Sequence, residues 1–197
     1  MLDKRTQKII DFIKEIEKAK LVWRKLYLSD GKTREDDAQH SWHLAMMIIC
    51  FKDELGIKFN IGKAIKLALI HDLVEIYTGD DWHTTKKERQ VKSANEEISA
   101  KKLFGLLPPD LEKEFYDLWK EYEDGETIEA KITKGLDRVA YPMQYSISKK
   151  IDYPRKTSKK DARSYAWSKI KFNKKVTEIY DYFLNEMPEK HNPKANN

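Results

Sequence analysis

The sequence predicts an all-α chain, a helical bundle in which amphipathic and wholly apolar helices pack around a common core. Three observations carry that expectation. Apolar residues recur at three- and four-residue steps over most of the 197 residues. No sustained period-two segment and no internal repeat interrupts them. Gly, Pro and Asx residues close the apolar runs at helix-length intervals.

Taken in order, Ile9, Phe12, Ile13 and Ile16 form one stripe of a first helix. LYLSDGKTRED is the first strong loop, with Asp30-Gly31 as its turn. A second helix begins near Asp36 or Asp37, either of which can cap it, and runs through HSWHLAMMIICFKDEL to Gly56. Asn60 caps a third, apolar almost all round from Ile61 to Tyr77 and stopped at Gly79. A helix apolar on every side is a central one. Val91, Ala94 and Ile98 suggest a fourth, closed by Gly105 and Pro108-Pro109. Leu111, Phe115, Leu118, Trp119 and Tyr122 line a fifth that ends near Gly125. Thr127 caps a sixth, with Ile128, Ile132, Leu136, Val139 and Met143 on one side and a kink expected at Pro142. Tyr165, Ala166, Ile170, Ile179, Phe183 and Met187 support one long last helix.

Residues 1–187 are read as a single domain and 188–197 as a frayed tail. A composition 36% charged, 40% hydrophobic and 11% aromatic is that of an ordered globular chain. The opening MLDKRTQKIIDFIKEIEKAK mixes both charge signs and has no continuous apolar stretch, so a cytoplasmic location without membrane insertion is the default. Cys50, the single cysteine, excludes an internal disulfide and reads as a buried small side chain in MMIICF. The net charge of +5 is uneven: Lys149 to Lys175 holds eleven Lys or Arg against two Asp, leaving the remainder at about −4. That segment has no base-reading motif, so it reads as a solvated face, and nucleic acid is not the expected partner.

The stretch KLALIHDLVEIYTGD poses the chemical question, because it drives His71, Asp72, Glu75 and Asp80 into the most apolar part of the chain. On a helix, His71 and Glu75 are four apart and Asp72 and Glu75 three apart, so they converge on one flank. Burying that many ionisable groups is costly unless a cation neutralises them. Further ligands must come from elsewhere: His40 beside the apolar stripe of the second helix, and Asp137 in KITKGLDRVAYP. Two imidazoles and two carboxylates from His40, His71, Asp72 and Asp137 suit a six-coordinate, borderline-to-hard divalent ion, with Mn, Co, Fe, Ni, Zn and Mg all compatible. His43, three residues from His40, reads as a structural neighbour of that set.

The ordered pattern of a His, a later His-Asp pair and a distant Asp, met by His40, His71-Asp72 and Asp137, resembles the HD-domain metal-dependent phosphohydrolases. Within that superfamily the chain is similar to the small branch related to bacterial 5′-deoxynucleotidases. The residues behind this likeness are LYLSDGKTREDDAQHSWHLA, HDLVEIYTGD, AKKLFGLLPPD and LWKEYEDGETIEAKITKGLDR, and it covers roughly Val22 to Tyr145. The resemblance implies an HD-type bundle with His40, His71, Asp72 and Asp137 as ligands of one divalent ion. It implies Glu75 and Asp80 as active-site carboxylates, and Arg24 as the arginine that contacts the nucleotide. Where the family commonly continues Gly-Asp with Thr-Pro or a similar small pair, this chain has Asp81, Trp82 and His83. Trp82 is a candidate to stack on a base.

The implied reaction is hydrolysis of a nucleoside or deoxynucleoside 5′-monophosphate, with Glu75 supporting the attacking water and Asp80 handling protons. Members of that branch are often dimers, and the aromatic stripe of the last helix is a candidate homodimer interface. Two other readings stay open. One is an HD-type hydrolase of nucleoside triphosphates or (p)ppGpp. The other is a non-catalytic, metal-stabilised module that binds RNA or protein through the basic segment.

Overall fold

The structure, a computed structural model, describes residues 2–80, 86–150 and 158–187. It opens with α1 (Lys4–Ile16), whose first turn is capped by Asp3 accepting from the Arg5 and Thr6 amides, and a 3₁₀ turn (Glu17–Leu21). A short antiparallel hairpin follows, β1 (Trp23–Tyr27) against β2 (Arg34–Asp36), with Trp23 opposite Asp36 and Tyr27 opposite Arg34. Then come α2 (Asp37–Phe51), α3 (Ile61–Ile70), the single turn α4 (Glu75–Thr78), α5 (Lys86–Phe104) and α6 (Pro109–Asp124). The long α7 (Ile128–Ser148), α8 (Lys159–Ile170) and α9 (Lys174–Glu186) complete it.

Two apolar clusters hold these elements together. The larger joins α2, α3, α7, α8 and α9 through Leu44, Ile48, Ala64, Ile132, Leu136, Ile170 and Tyr180. The smaller joins α1, α3, α5 and α6 through Phe12, Leu67, Leu103, Phe104 and Trp119. Leu44, Ile48, Leu67 and Leu136 are fully withdrawn from water, each worth about 1.5–3 kcal/mol relative to exposure. Ala64 and Ala68 place α3 in the larger cluster, and Leu67 and Ile70 place it in the smaller, so α3 is the central helix expected from its all-round apolar surface.

The all-α architecture matches the sequence reading, and the helix spacing locates α1, α2, α6 and α7, the last running through Pro142 to Ser148. Five expectations need correction. The loop around Asp30 is a hairpin turn: Asp30 Oδ1 accepts from the Lys32 and Thr33 amides at 2.8 and 2.9 Å, and Gly31 takes φ +63°. Strands of five and three residues are too short to show a period of two. The third helix stops at Ile70 rather than reaching Tyr77, for reasons given below. The long last helix is two, because Asn173 accepts from the Val176 amide at 3.0 Å and starts α9 afresh. In α5, Val91 and Ile98 face solvent, while Ala100, Leu103 and Phe104 are buried. Cys50 is exposed rather than buried, because the apolar run containing it wraps the whole circumference of α2. Trp82, His83, His191, residues 151–157 of the basic segment and the tail 188–197 lie outside the described residues.

Gly135 sets the spacing between α7 and the last two helices. A Cβ there would lie 2.9 Å from Phe172 Cε1, 3.2 Å from Val176 Cγ1 and 3.3 Å from the Lys169 carbonyl. Gly135→Val is therefore expected to lower stability by about 1–3 kcal/mol through overpacking. Urea denaturation checks this, and an unchanged midpoint would contradict the close approach.

Candidate metal centre

Three local devices bring the polar residues together. At the start of α2, Asp36 Oδ1 accepts from the Gln39 amide at 2.8 Å while Gln39 Oε1 accepts from the Asp36 amide at 3.1 Å. This box fixes the first turn and turns Asp37 and His40 inward, 2% and 1% exposed. The hairpin delivers Arg24 and Glu35, and is tied to α7 by Gln144 Nε2 donating to the Tyr27 carbonyl at 2.6 Å. After Ile70, amides bond three residues back: Leu73 to Ile70, Glu75 to Asp72 and Ile76 to Leu73, at 3.1, 2.9 and 3.3 Å. The tightened backbone ends α3 at the His-Asp pair.

His71 Nδ1 lies 2.9 Å from the Ala68 carbonyl. A carbonyl can only accept, so Nδ1 carries hydrogen and the neutral ring leaves its lone pair on Nε2. That Nε2 is buried with no hydrogen-bond partner and stands 3.0 Å from Asp72 Oδ2, another acceptor. Two acceptors at this distance repel unless a cation, a proton or a metal, lies between them. His40 Nε2 is hydrogen-bonded to Asp137 Oδ1 at 3.2 Å and lies 3.9 Å from Asp72 Oδ2. The rings of His40 and His71 are 5.4 Å apart, and His40, His71 and Asp72 offer ligand atoms within 4.8 Å of one another. Asp137 adjoins this set through His40, while the Tyr122 hydroxyl donates to its other oxygen at 3.3 Å. This nitrogen-and-oxygen donor set can hold a divalent metal.

The electrostatics are strained by an excess of carboxylates. Burial opposes the charge on Asp72, but His71 and Arg24 outweigh it and hold its carboxyl below the usual range. Burial likewise opposes Asp137, yet Arg138 and the His40 hydrogen bond keep it well below. Burial works against a charged His71, and Asp72 more than compensates, raising it. Asp37 goes the other way: burial first, then the charge of Asp72, push its carboxyl up to about 8. The same two causes raise Glu75.

A cavity of about 300 Å³ opens onto these groups. Asp72, Glu75, Asp80, Arg24, Lys92 and Arg138 line it, together with Tyr122, Tyr165, Lys134, Glu96 and Glu123. Glu75 is 2.8 Å from Lys92 Nζ, so lysine and not His71 is its partner. Arg24 Nη1 is 3.1 Å from Asp72 Oδ2, and Arg24 Nε is 3.2 Å from Glu35 Oε2. His43 stacks on Trp42, outside the cluster. Sequence reasoning missed Lys92, Arg138 and the ligand-like position of Asp37, which it treated only as a cap. Lys92 sits on a largely polar helix whose inward face no apolar stripe marks, whereas Tyr122 was visible only as part of a core stripe.

Comparison with known proteins shows the family to which the chain belongs. A family model described as an HD domain matches residues 16–180. The 5′-deoxynucleotidase HDDC2 of Bos taurus is 38% identical over 112 residues, 57% of this chain and 53% of that protein. The protein of the same name from Dictyostelium discoideum is 33% identical over 141 residues, 68% of this chain and 74% of its own length. The chain thus spans about half the length of the curated mammalian relatives it matches. Among solved structures, a predicted metal-dependent phosphohydrolase from Magnetospirillum magnetotacticum MS-1 superposes with a TM-score of 0.81 at 30% identity, covering 94% of this chain and 100% of that one. An HD-domain phosphohydrolase from Listeria innocua shares the fold, with a TM-score of 0.64 at 20% identity over 90% of this chain and 86% of its own.

Two expectations follow from the charge imbalance. The Asp37 carboxyl, at about 8 when folded against 3.8 as an ordinary aspartate, keeps a proton that the unfolded chain has lost. The metal-free protein should therefore lose stability as pH rises from about 4 to about 8, and a saturating divalent ion should flatten that slope. Denaturant midpoints across pH check this, and a rise over the same window would contradict it. Arg24→Met removes the cation shared by Glu35, Asp37 and Asp72 and should cost about 3–5 kcal/mol at neutral pH. The loss should shrink on acidification, as Asp72 takes up a proton, and a pH-independent loss would point to packing instead.

Proposed function

Since the chain belongs to the HD-domain family, we propose that it is a metal-dependent 5′-nucleotidase releasing phosphate from nucleoside or deoxynucleoside 5′-monophosphates. One observation carries the metal part: His71 Nε2, its other nitrogen already committed to the Ala68 carbonyl, confronts a carboxylate oxygen at 3.0 Å. His40, His71, Asp72 and Asp137 would hold one divalent transition metal ion, which supplies Lewis-acid polarisation of the phosphoryl group and lowers the pKa of water at its open positions. The substrate part rests on the 5′-deoxynucleotidase relatives and on the chemistry of the cavity.

The residues divide the work. Arg24, Lys92 and Arg138 face the cavity and neutralise the phosphate. Water's oxygen forms the new bond to phosphorus as the bond to the 5′ oxygen breaks, and the departing oxygen takes up a proton. Asp80, past the end of α4 and in the cavity wall, would carry that proton from the attacking water to the departing oxygen. Glu75, held by Lys92 beside Asp72, orients the attacking water. Lys92 and Arg138, absent from the sequence reading, join the substrate contacts beside Arg24. Tyr165 offers a ring in the cavity wall, and Trp82, outside the described residues, would stack on the base.

The charge of the cavity favours a monophosphate. Its wall carries four cationic side chains against six carboxylates, a formal −2 that one divalent ion cancels. A dianionic monoester is tolerable there, whereas a triphosphate brings twice the charge. A volume of about 300 Å³ also stands at the small end of ligand pockets, roughly 300–1,000 Å³.

Chelator-stripped protein supplied separately with Mn, Co, Mg, Ni or Zn is expected to release phosphate from a subset of ribo- and deoxynucleoside 5′-monophosphates. Asp72→Ala should cut that rate by more than about a hundredfold, beyond the loss typical of a group that merely orients a ligand. No release from any monophosphate with any metal, or pyrophosphate or tripolyphosphate release from nucleoside triphosphates supplied in parallel, would overturn the reading.

A further inference from the structure

Of the four residues proposed to hold the ion, Asp137 is the one that must be brought into place. His40, His71 and Asp72 offer atoms within 4.8 Å of one another, and Asp137 is not part of that group. It comes from the middle of α7, and its two oxygens have different neighbours. Oδ1 meets His40 Nε2 at 3.2 Å. Oδ2 accepts from the Tyr122 hydroxyl at 3.3 Å and lies 3.7 Å from Arg138 Nη2. An oxygen committed to a phenol donor leaves the other, Oδ1, as the one offered to the ion.

The same tyrosine reaches a second ligand. Its ring lies 4.8 Å from the His71 ring, centroid to centroid, at an interplanar angle of 54°. With Nδ1 tied to the Ala68 carbonyl, this contact restricts rotation of the imidazole and keeps Nε2 on the Asp72 side. Tyr122 is itself held: it is buried in the smaller apolar cluster, and Lys134 Nζ stands 4.0 Å from its ring centroid. Lys134 is 9% exposed and reaches the Glu123 carboxylate only at 3.9 Å, which leaves the ring face as a close partner for its ammonium. Because Lys134 is one turn before Asp137, this clamp ties α6 to the part of α7 that carries the ligand.

We propose that Tyr122 is a positioning residue for the metal centre, its hydroxyl fixing Asp137 with Oδ1 towards the ion and its ring bracing His71. The inference rests on the metal reading above and extends it to a residue of α6, which supplies no ligand. Packing alone does not require the hydroxyl, since a phenylalanine would fill the same core position. Held through one oxygen, Asp137 occupies a single coordination position and keeps others open for the attacking water and a phosphoryl oxygen.

Titration of the chelator-stripped full chain with Mn²⁺, the free ion being counted from its paramagnetic resonance signal, tests this by binding alone. Tyr122→Phe keeps the ring and loses the hydroxyl, and its Mn²⁺ dissociation constant is expected to rise by about 10-fold or more, as for other groups that orient a ligand. Tyr122→Leu loses both contacts and should raise it further. Leu118→Ala, which opens a cavity in the same cluster one turn earlier on α6, should lower the urea midpoint and leave the constant unchanged. A wild-type constant in Tyr122→Phe, or an equal weakening by Leu118→Ala, would overturn the positioning role and leave the metal centre standing. Tyr122→Leu no weaker than Tyr122→Phe would overturn the bracing of His71. A wild type that binds no Mn²⁺ would overturn the metal reading as well.

Discussion

Asp72 is the residue on which the rest of the site depends. Among the described residues it is the one carboxylate within reach of both imidazoles, of Arg24 and of the other buried acids, and its charge survives burial because cationic groups crowd around it. A lone buried carboxylate would neutralise itself by taking a proton. Here the surroundings enforce ionisation on Asp72 and Asp137, and Asp37 and Glu75 bear the consequence with raised carboxyls. That division between acids held charged and acids held protonated gives the cavity its capacity for cations.

The fold serves this arrangement through elements that look incidental. The hairpin has little area, yet it carries Arg24 and Glu35 at its base and is pinned to α7 by Gln144. The capping box at Asp36 fixes the helical phase that turns both Asp37 and His40 inward. The tightened turn after Ile70 ends the central helix at the His-Asp pair, which leaves α3, apart from Lys63 and Lys66, apolar for the two clusters it joins. Stability and chemistry are thereby assigned to consecutive segments of one chain.

How much of this was legible depended on whether the signal was local. Apolar spacing gave α1, α2, α6 and α7 directly, and the capping residues Asn60 and Thr127 marked helix starts that the structure keeps. His71-Asp72 stood out because a charged pair in an aliphatic run contradicts its surroundings. The counter-charges did not stand out, because Lys92 and Arg138 lie among many lysines and arginines and only tertiary packing selects the ones that face inward. Asp37 was read as a cap, and the box formed by Asp36 and Gln39 is what frees it for the site. The break between α8 and α9 was missed because Asn173 caps a helix within an apolar pattern that continues on both sides.

The central claim is that a divalent ion resolves the confrontation between the imidazoles and the carboxylates. Anomalous scattering from crystals grown with Mn²⁺ tests it most directly. The account predicts a peak between His40 Nε2, His71 Nε2 and the carboxylates of Asp72 and Asp137, at roughly 2.0–2.2 Å from each ligand atom. No peak there, with His71 Nε2 instead hydrogen-bonded to Asp72 as a protonated imidazolium, would contradict it.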